Sequence, residues 1–517
     1  MVEEHNGHRN NTEVEERLGV LLKQKQKLPN RDLLTCTPVN KSLTASSFFE
    51  NLNSPYHSDC DSTSDGTDGQ SRSSSSNSTP EPNTPDLLLE SCHLLHELSR
   101  EVGKDVYNIQ DFGSVASFVN SRIDCGLESG SFLVTNLSDI VGQLKQWHVE
   151  LPMVEPFYAV KCNPDPVILR LLASLGCNFD CATMGEIDLV LNGLGDDLSF
   201  GPKGRARSSI VYANPAKMEN MIRFAMDNDV RMTVFDGEDE LHKIAALGGH
   251  KFQLLLRLTT DDKASICQFS KKFGCPVAEA PHLLRVAQSL GLHVAGVSFH
   301  VGSGCGDSDA YVTALSHAMT VYNTAESLGM APMTIIDIGG GFPGDTGGYG
   351  GPGMPSFQDL ARAIRKGIDA FAAALERPIS EIRFIAEPGR YFVSASTVIT
   401  TKIYSRKGGA SNIQALYVDD GVYGSFNNVV YDHATPIPLR LSSVMSGSHE
   451  KEEMIPSAVF GPTCDGLDQM CSLDSTLLPR CAVGDWLIWE NQGAYTHTAS
   501  FIFNGYTHFP SKTYCYF

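Results

Sequence analysis

The chain has 517 residues, of which 42% are hydrophobic and 19% are charged, a balance typical of a globular protein with a large buried core. This length is typical of roughly three domains, although an α/β barrel can use about 250 residues as one unit. The formal net charge is −20, and the lysines and arginines occur singly or in pairs, so we expect no nucleic-acid binding.

The cysteines and the N-terminus indicate the expected cellular setting. The 14 cysteines are irregularly spaced and contain no CxxC pair, which predicts free thiols in a reducing compartment and no metal site. The N-terminus lacks the basic and apolar regions of a signal peptide, and its acidity argues against a transit peptide. No apolar run approaches the roughly 18 residues that span a bilayer, so we expect a cytoplasmic protein with no membrane association.

Residues 1–90 differ in composition from the rest of the chain. They are polar and include four consecutive serines at 73–76 and a proline-spaced run at 79–85. Such a segment cannot bury enough apolar surface to offset its ordering entropy, which predicts a disordered leader. We expect the globular part to start within residues 91–136, and this stretch to pack with the C-terminal domain.

Residues 137–396 alternate between apolar, β-rich runs and longer helical patterns. The eight runs are 157–160, 178–181, 210–213, 231–235, 252–256, 294–299, 334–338 and 382–386. Eight strand–helix alternations predict an α/β fold in the form of a (β/α)₈ TIM-like barrel. A doubly wound open sheet is the alternative, but the count of eight and the lack of a GxGxxG after the first strand favour the barrel.

Beyond residue 396 the pattern changes to shorter alternating stretches that are separated by Gly, Pro and Ser. Residues 397–404, 415–418 and 486–489 are examples. Because alternation with a period of two is typical of a half-buried strand, we predict that residues 397–517 form an antiparallel β domain.

The ends of the predicted barrel strands carry reactive side chains, and barrel enzymes place their catalytic groups there. These ends carry Lys161, Asp180, Arg257, His300, the run Gly339, Gly340 and Gly341, and Glu387 with Gly389 and Arg390. A single lysine at a strand end usually extends to solvent. A partly buried amine with a depressed pKa is also what a Schiff-base lysine requires, and the other strand ends favour that function.

The glycine run and its neighbours suggest a phosphate site. Glycines let backbone amides approach a phosphate without a Cβ clash, and an arginine can bind it through two donors. Glu387 either pairs with Arg390 in a structural bridge or holds a heterocyclic nitrogen protonated. A lone His300 is more often structural than catalytic, but a planar ring beside a flat cofactor is a reasonable alternative. It has no partner ligands at metal spacing.

Several longer segments together resemble the eukaryotic ornithine decarboxylase family, of the alanine-racemase-like class that uses pyridoxal 5'-phosphate (PLP). The resemblance covers about residues 92–515. Its motifs lie at 158–163, 299–305, 337–344, 386–391, 420–427, 431–433, 461–468 and 490–495. This number of matches in the same order is specific, although no single motif is.

The resemblance implies a role for each cofactor residue. Lys161 would form the Schiff base with PLP, Glu387 would pair with the pyridine nitrogen, and His300 would stack on the ring. Asp180 and Arg257 would orient the ring and its lysine. The phosphate would be held by Ser303, Gly340, Gly341, Gly389, Arg390 and Tyr495.

The resemblance also implies a shared substrate site. Asp432 and Asp465 of the partner subunit would receive the distal ammonium of the substrate, and the partner's Cys464 would control protonation at Cα. The pocket would be lined by Tyr423, Tyr431 and Phe503. A site of this kind is incomplete in one chain, so we expect an obligate homodimer.

The implied activity is decarboxylation of L-ornithine to putrescine in polyamine biosynthesis. Lysine or arginine decarboxylation is an alternative, and lysine is the harder substrate to exclude because one methylene contributes only about 1–3 kcal/mol of discrimination. A catalytically inactive protein resembling antizyme inhibitors is another, but the presence of Lys161, His300, Glu387 and Cys464 argues against it. Residues 217–247 resemble the segment to which antizyme docks, although a solvated helix face explains their charges equally well.

Overall fold

The structure is a computed structural model that describes residues 106–192, 210–344, 353–408, 412–447, 452–506 and 512–517. The predicted leader at residues 1–90 lies outside the described residues. The description below concerns the compact unit that begins at Thr84.

Eight parallel strands close into a barrel in chain order, which confirms the predicted (β/α)₈ fold. The strands are Val154–Ala159, Asn178–Cys181, Ile210–Tyr212, Met232–Phe235, Gln253–Leu258, Val294–Phe299, Ile335–Asp337 and Arg383–Ala386. Closure is made where the last strand pairs with the first, with Ala386 opposite Pro156. Each predicted run overlaps one of these strands. A strand that is buried on both faces has a continuous apolar run in its sequence, which is why the runs could be identified.

Helices surround the barrel, and some of them begin at local capping signals. They are Leu137–Glu150, Pro166–Ser174, Met184–Asn192, Glu219–Asp227, Glu238–Ala246, Ala280–Ser289, Asp309–Ser327 and Phe357–Ala374. The last of these begins with a capping box, in which the Ser356 hydroxyl and the Asp359 carboxylate each accept the other residue's backbone N–H. Pro166 occupies the first turn of its helix, where its missing N–H costs nothing.

The barrel interior is filled by side chains, so it is a packed core and not a channel. Alternate residues of the strands point inward and form a separate buried cluster: Phe157, Val211, Met232, Val234, Leu255, Ala295, Ile335 and Ile385. The outward-facing residues pack against the helices in the largest core cluster. This packing fixes the strand ends that carry the predicted site.

Two short strands, Ser265–Cys267 and Ser303–Cys305, pair with each other in a two-stranded ribbon, and the other strands form a ten-stranded sheet, called here the β domain. Its strands are Val106–Tyr107, Phe132–Asn136, Thr397–Lys407, Gln414–Val418, Pro438–Arg440, Met454–Phe460, Gln469–Cys471, Leu477–Pro479, Trp486–Trp489 and Thr513–Tyr516. Short helices Val115–Asp124, Asn428–Tyr431 and Leu441–Ser446 accompany it.

The β domain is mixed, whereas the sequence predicted an antiparallel sheet. Most pairings are antiparallel, but Thr513–Tyr516 runs parallel to both N-terminal strands, and Gln414–Val418 runs parallel to Met454–Phe460. Parallel pairing needs a long connection, and the helices between residues 418 and 454 provide one. Pairing between the two ends of the chain is non-local and leaves no signal in local alternation.

No helix of the described residues combines the length and the apolar character needed to cross a membrane.

Candidate active site

A cavity of about 480 Å³ lies at the C-terminal ends of the barrel strands. It gathers most of the residues that the sequence singled out: Lys161, Arg257, His300, Ser303, Gly340, Gly341, Glu387, Gly389, Arg390, Tyr431, Asp432 and Tyr495. It is also lined by residues that sequence reasoning missed: Asn214, Cys267, Phe269 and Phe273. The size and the convergent polar groups are typical of a small-molecule site.

Lys161 lies in a short 3₁₀ turn, Val160–Cys162, directly after the first barrel strand. The β domain holds this turn from above, because the backbone N–H of Tyr495 donates to the Cys162 carbonyl at 2.9 Å. The side chain is 44% exposed, since it faces the open cavity. The backbone of Lys161 is therefore held in place, whereas its amine is accessible from the cavity.

The Lys161 amine is paired with Asp180 at a distance of 2.5 Å between Nζ and Oδ2. Asp180 does not line the cavity itself and is completely buried at the end of the neighbouring strand. Burial acts to lower the pKa of Lys161, but the charges of Asp180, Tyr495 and Glu387 outweigh it and raise the pKa above its usual value. The sequence-based expectation of a depressed pKa is therefore wrong for this state, because it took no account of the surrounding acids.

Glu387 has a buried oxygen that lacks a partner. Its Oε1 atom makes no hydrogen bond with any described residue, although the residue is only 7% exposed. Burial, followed by the charges of Asp337 and Asp180, raises the pKa of Glu387 well above its usual range. Buried carboxylates are normally satisfied, so this oxygen indicates a missing donor in the cavity.

His300 is held in a neutral form. Its Nδ1 atom accepts the backbone N–H of Gly302 at 3.0 Å, and its ring contacts Phe269 edge-on at 4.9 Å between centroids. Burial and then the positive charges of Arg257 and Lys161 lower the pKa of His300 well below its usual value. At neutral pH the imidazole is therefore uncharged, as a ring that packs on a flat cofactor should be.

The glycine run is required by close contacts. A Cβ on Gly340 would lie 2.8 Å from His300 Nε2 and 2.9 Å from the Glu387 carbonyl oxygen. Gly341 has a φ of +110°, and a Cβ there would lie 2.7 Å from the Gly302 carbonyl oxygen. Only glycine fits at these two positions, because any side chain would clash with neighbouring protein atoms. A backbone without side chains also suits a phosphate cradle, in which amide groups contact the ligand directly.

Asp432 and Arg390 are in direct contact. The Arg390 guanidinium donates to Asp432 Oδ2, and the other carboxylate oxygen lies 3.5 Å from the thiol of Cys267. The Arg390 guanidinium also lies over the Tyr495 ring, 5.1 Å from its centroid. The sequence left open a structural bridge between Glu387 and Arg390, whereas the structure pairs Arg390 with Asp432 in the cavity.

The structure brings the other predicted residues together outside the cavity. The Tyr423 ring stacks on Phe503 at 4.3 Å, and its hydroxyl donates to Asp465. Cys464 is exposed, and its backbone N–H donates to Asn504 Oδ1 at 3.1 Å. We call this group, Tyr423, Cys464, Asp465 and Phe503, the aromatic patch. Its residues do not line the cavity of their own chain.

Asp337 is a site residue to which the sequence reasoning gave no role. It is completely buried, and its carboxylate accepts the Gly339 N–H at 2.9 Å and the Ser298 hydroxyl at 3.1 Å. It also acts on Glu387 through its charge. Its place immediately before the glycine run was the available signal. Cys267 had none, because its position opposite Ser303 in a two-stranded ribbon is set by tertiary pairing.

The residues present fit PLP. The unpartnered Glu387 oxygen can accept a hydrogen bond from a protonated ring nitrogen, and Lys161 is accessible to an aldehyde. Gly340 and Gly341 line the cavity, where a phosphate could contact their backbone. Among the described residues, no group of three or more His, Cys, Asp or Glu side chains is arranged to hold a metal ion.

Comparison with known proteins agrees with this chemistry. A family model described as pyridoxal-dependent decarboxylase, pyridoxal binding domain, matches residues 137–394. An ornithine decarboxylase of Caenorhabditis elegans is 41% identical over 390 residues, which are 73% of this chain and 85% of that protein. Antizyme inhibitor 2 of Xenopus laevis is 39% identical over 395 residues, covering 74% of this chain and 80% of that protein.

A solved structure gives the same result for the fold. The arginine decarboxylase of Paramecium bursaria Chlorella virus has a TM-score of 0.69 and 31% identity, covering 78% of this chain and all of that one. The protein therefore uses pyridoxal phosphate, and the chain belongs to the family of pyridoxal-phosphate-dependent decarboxylases that includes the eukaryotic ornithine decarboxylases.

Proposed function

We propose that this protein decarboxylates L-ornithine to putrescine and carbon dioxide, a reaction of polyamine biosynthesis. The observation that carries the proposal is a single cavity containing the Lys161 amine, the unpartnered Glu387 oxygen and the Asp432 carboxylate. A carboxylate in an enclosed pocket favours a cationic partner, such as the distal ammonium of a basic amino acid. The relatives named ornithine decarboxylase support the same substrate.

Lys161 and Asp180 would act together at the start of the reaction. When bound, pyridoxal phosphate supplies a conjugated ring that accepts the electron pair left at Cα as the carboxylate departs. Lys161 would hold the cofactor covalently, and its ammonium must first lose a proton. Asp180 Oδ2 lies 2.5 Å from Nζ, where it would hold the amine in position.

Glu387 and His300 would set the charge around the ring. Burial and then the charge of Asp337 raise the pKa of Glu387, and a cationic ring nitrogen would favour its ionised form. Oε1 would then accept the hydrogen bond that it lacks. The neutral His300 ring would pack on the cofactor without placing a positive charge beside the departing carboxylate.

The remaining proposed residues bind the two ends of the ligands. Arg257 would orient the ring, and the phosphate would contact Ser303, Gly340, Gly341, Gly389, Arg390 and Tyr495. The distal ammonium would meet Asp432, with Tyr431 beside it. We propose a homodimer in which Cys464 and Asp465 of the partner subunit complete each cavity. These two residues belong to the aromatic patch, in which Tyr423 contacts Phe503 and Asp465.

Two other functions remain candidates. Decarboxylation of lysine or arginine is favoured by the similarity to a viral arginine decarboxylase. A role as an antizyme-binding protein is favoured by the similarity to an antizyme inhibitor. For antizyme, the 217–247 segment would have to bind through its exposed helix faces, because Lys217 is buried against Glu240 at 2.9 Å.

Product analysis tests the proposal. The protein is incubated with PLP and, separately, with ornithine, lysine or arginine, and the amines formed are quantified; a Lys161→Ala variant serves as the inactive control. We expect putrescine from ornithine at the highest rate. A higher rate with lysine or arginine would reassign the substrate, and no amine from any of the three would reject decarboxylation.

A further inference from the structure

Arg390 and Asp432 reach the same point of the cavity from different parts of the fold. Arg390 begins the short helix Arg390–Val393 after the last barrel strand, and Asp432 follows the helix Asn428–Tyr431. Their side chains are only 8% and 12% exposed. The guanidinium bonds Oδ2 of Asp432, while the Cys267 thiol lies 3.5 Å from Oδ1. The carboxylate is therefore held in place from two sides.

The two charges are the ones proposed to bind opposite ends of the ligands. Arg390 would contact the cofactor phosphate, and Asp432 would contact the substrate ammonium. In the free protein each charge neutralises the other. A phosphate that bonds Arg390 would weaken its hold on Asp432, and the carboxylate would then attract a cation more strongly. An ammonium at Asp432 would free Arg390 for the phosphate in the same way.

We propose that the Arg390–Asp432 pair couples phosphate binding to ammonium binding, so that each ligand strengthens the other. The inference deepens the proposed function and rests on it for the identity of the two ligands. Coupling between two binding sites is reciprocal by thermodynamic necessity, and typical couplings change affinity about 5- to 150-fold. Such a link would make the substrate end of the cavity fully attractive only after the phosphate end is filled.

The wild-type chain gives the first test. Full-length protein freed of cofactor is titrated with 1,4-diaminobutane by calorimetry, with and without saturating inorganic phosphate, and sodium chloride is used to match ionic strength. We expect phosphate to lower the dissociation constant of the diamine at least about fivefold, and the diamine to lower that of phosphate by the same factor. Unchanged or weaker diamine binding would overturn the proposal.

A variant gives the second test. Asp432→Asn removes the neutralising charge, so it should bind pyridoxal phosphate about fivefold or more tightly than the wild type, with no change for pyridoxal, which lacks the phosphate. Asp369→Asn, the same substitution at an exposed position of the helix Phe357–Ala374 outside the cavity, is the matched control and should match the wild type for both ligands. Weaker pyridoxal phosphate binding by Asp432→Asn, or an equal change with pyridoxal, would overturn the proposal.

The two tests remain decisive if one of them fails for technical reasons. The titration of the wild type needs no variant, so misfolding of Asp432→Asn would leave the coupling measurable. Neither test measures decarboxylation. A lack of coupling together with putrescine formation would reject only this inference, and coupling without putrescine formation would reject only the proposed substrate.

Discussion

The structure predicts how much the substitution Gly340→Ala would weaken the binding of pyridoxal phosphate. The new Cβ would lie 2.8 Å from His300 Nε2 and 2.9 Å from the Glu387 carbonyl oxygen. The histidine ring can shift, but the carbonyl belongs to a backbone whose Glu387 N–H bonds the Gly339 oxygen at 2.7 Å. Overpacking of this kind costs about 1–3 kcal/mol. If this free energy destabilises only the cofactor-bound protein, the affinity for pyridoxal phosphate falls roughly 5- to 150-fold.

The assay is equilibrium binding of pyridoxal phosphate followed by absorbance, with a melting curve for each protein. Gly142→Ala is the matched control, because Gly142 lies in the helix Leu137–Glu150 and a Cβ there would meet no atom within 4 Å. Alanine in a helix interior should stabilise the control by about 0.5–1 kcal/mol. If Gly340→Ala binds the cofactor as tightly as the wild type, then the glycine run is not a phosphate cradle.

Three further predictions concern charge and assembly. Mixing inactive Lys161→Ala and Cys464→Ala chains should restore about a quarter of wild-type turnover, because half of the dimers would carry one complete site; no recovery would contradict a shared site. Asp432→Ala should raise KM for ornithine at least about 30-fold, corresponding to a loss of 2–5 kcal/mol for a buried charge partner, and an unchanged KM would remove Asp432 from the substrate site. The raised pKa of Glu387 means that the folded, cofactor-free protein binds more protons than the unfolded chain, so stability should fall as pH rises above the ordinary glutamate value of 4.5. Glu387→Gln should reduce this slope in melting curves, and an identical slope would contradict the assignment.

The barrel could be predicted from the sequence because its strands are buried on both faces. Such strands appear as short apolar runs, and six of the eight carry a residue predicted for the site at or just after their ends, at the same edge of the barrel. Lys161, His300 and Glu387 were found by this rule, and the structure places all three around one cavity. Their grouping follows from the topology, since parallel strands bring their C-terminal ends together.

The contacts between side chains could not be predicted in this way. The resemblance implied that Asp180 orients the lysine, but it did not show that the nearby charges outweigh burial, so the expected direction of the Lys161 pKa shift was wrong. The contact of Asp432 with Arg390 joins segments 42 residues apart, and no local pattern encodes it. The parallel pairings of the β domain were missed for the same reason, because they join segments that are distant in the sequence.

Identification of the lysine that bonds the cofactor tests the central claim most directly. The protein is loaded with pyridoxal phosphate, reduced with borohydride and digested, and the modified peptide is located by mass spectrometry. Lys217 is the competitor that chemistry alone would suggest, because burial lowers its pKa to about 8. We predict the adduct on Lys161, whose amine faces the cavity, and an adduct on Lys217 or another lysine would contradict the account.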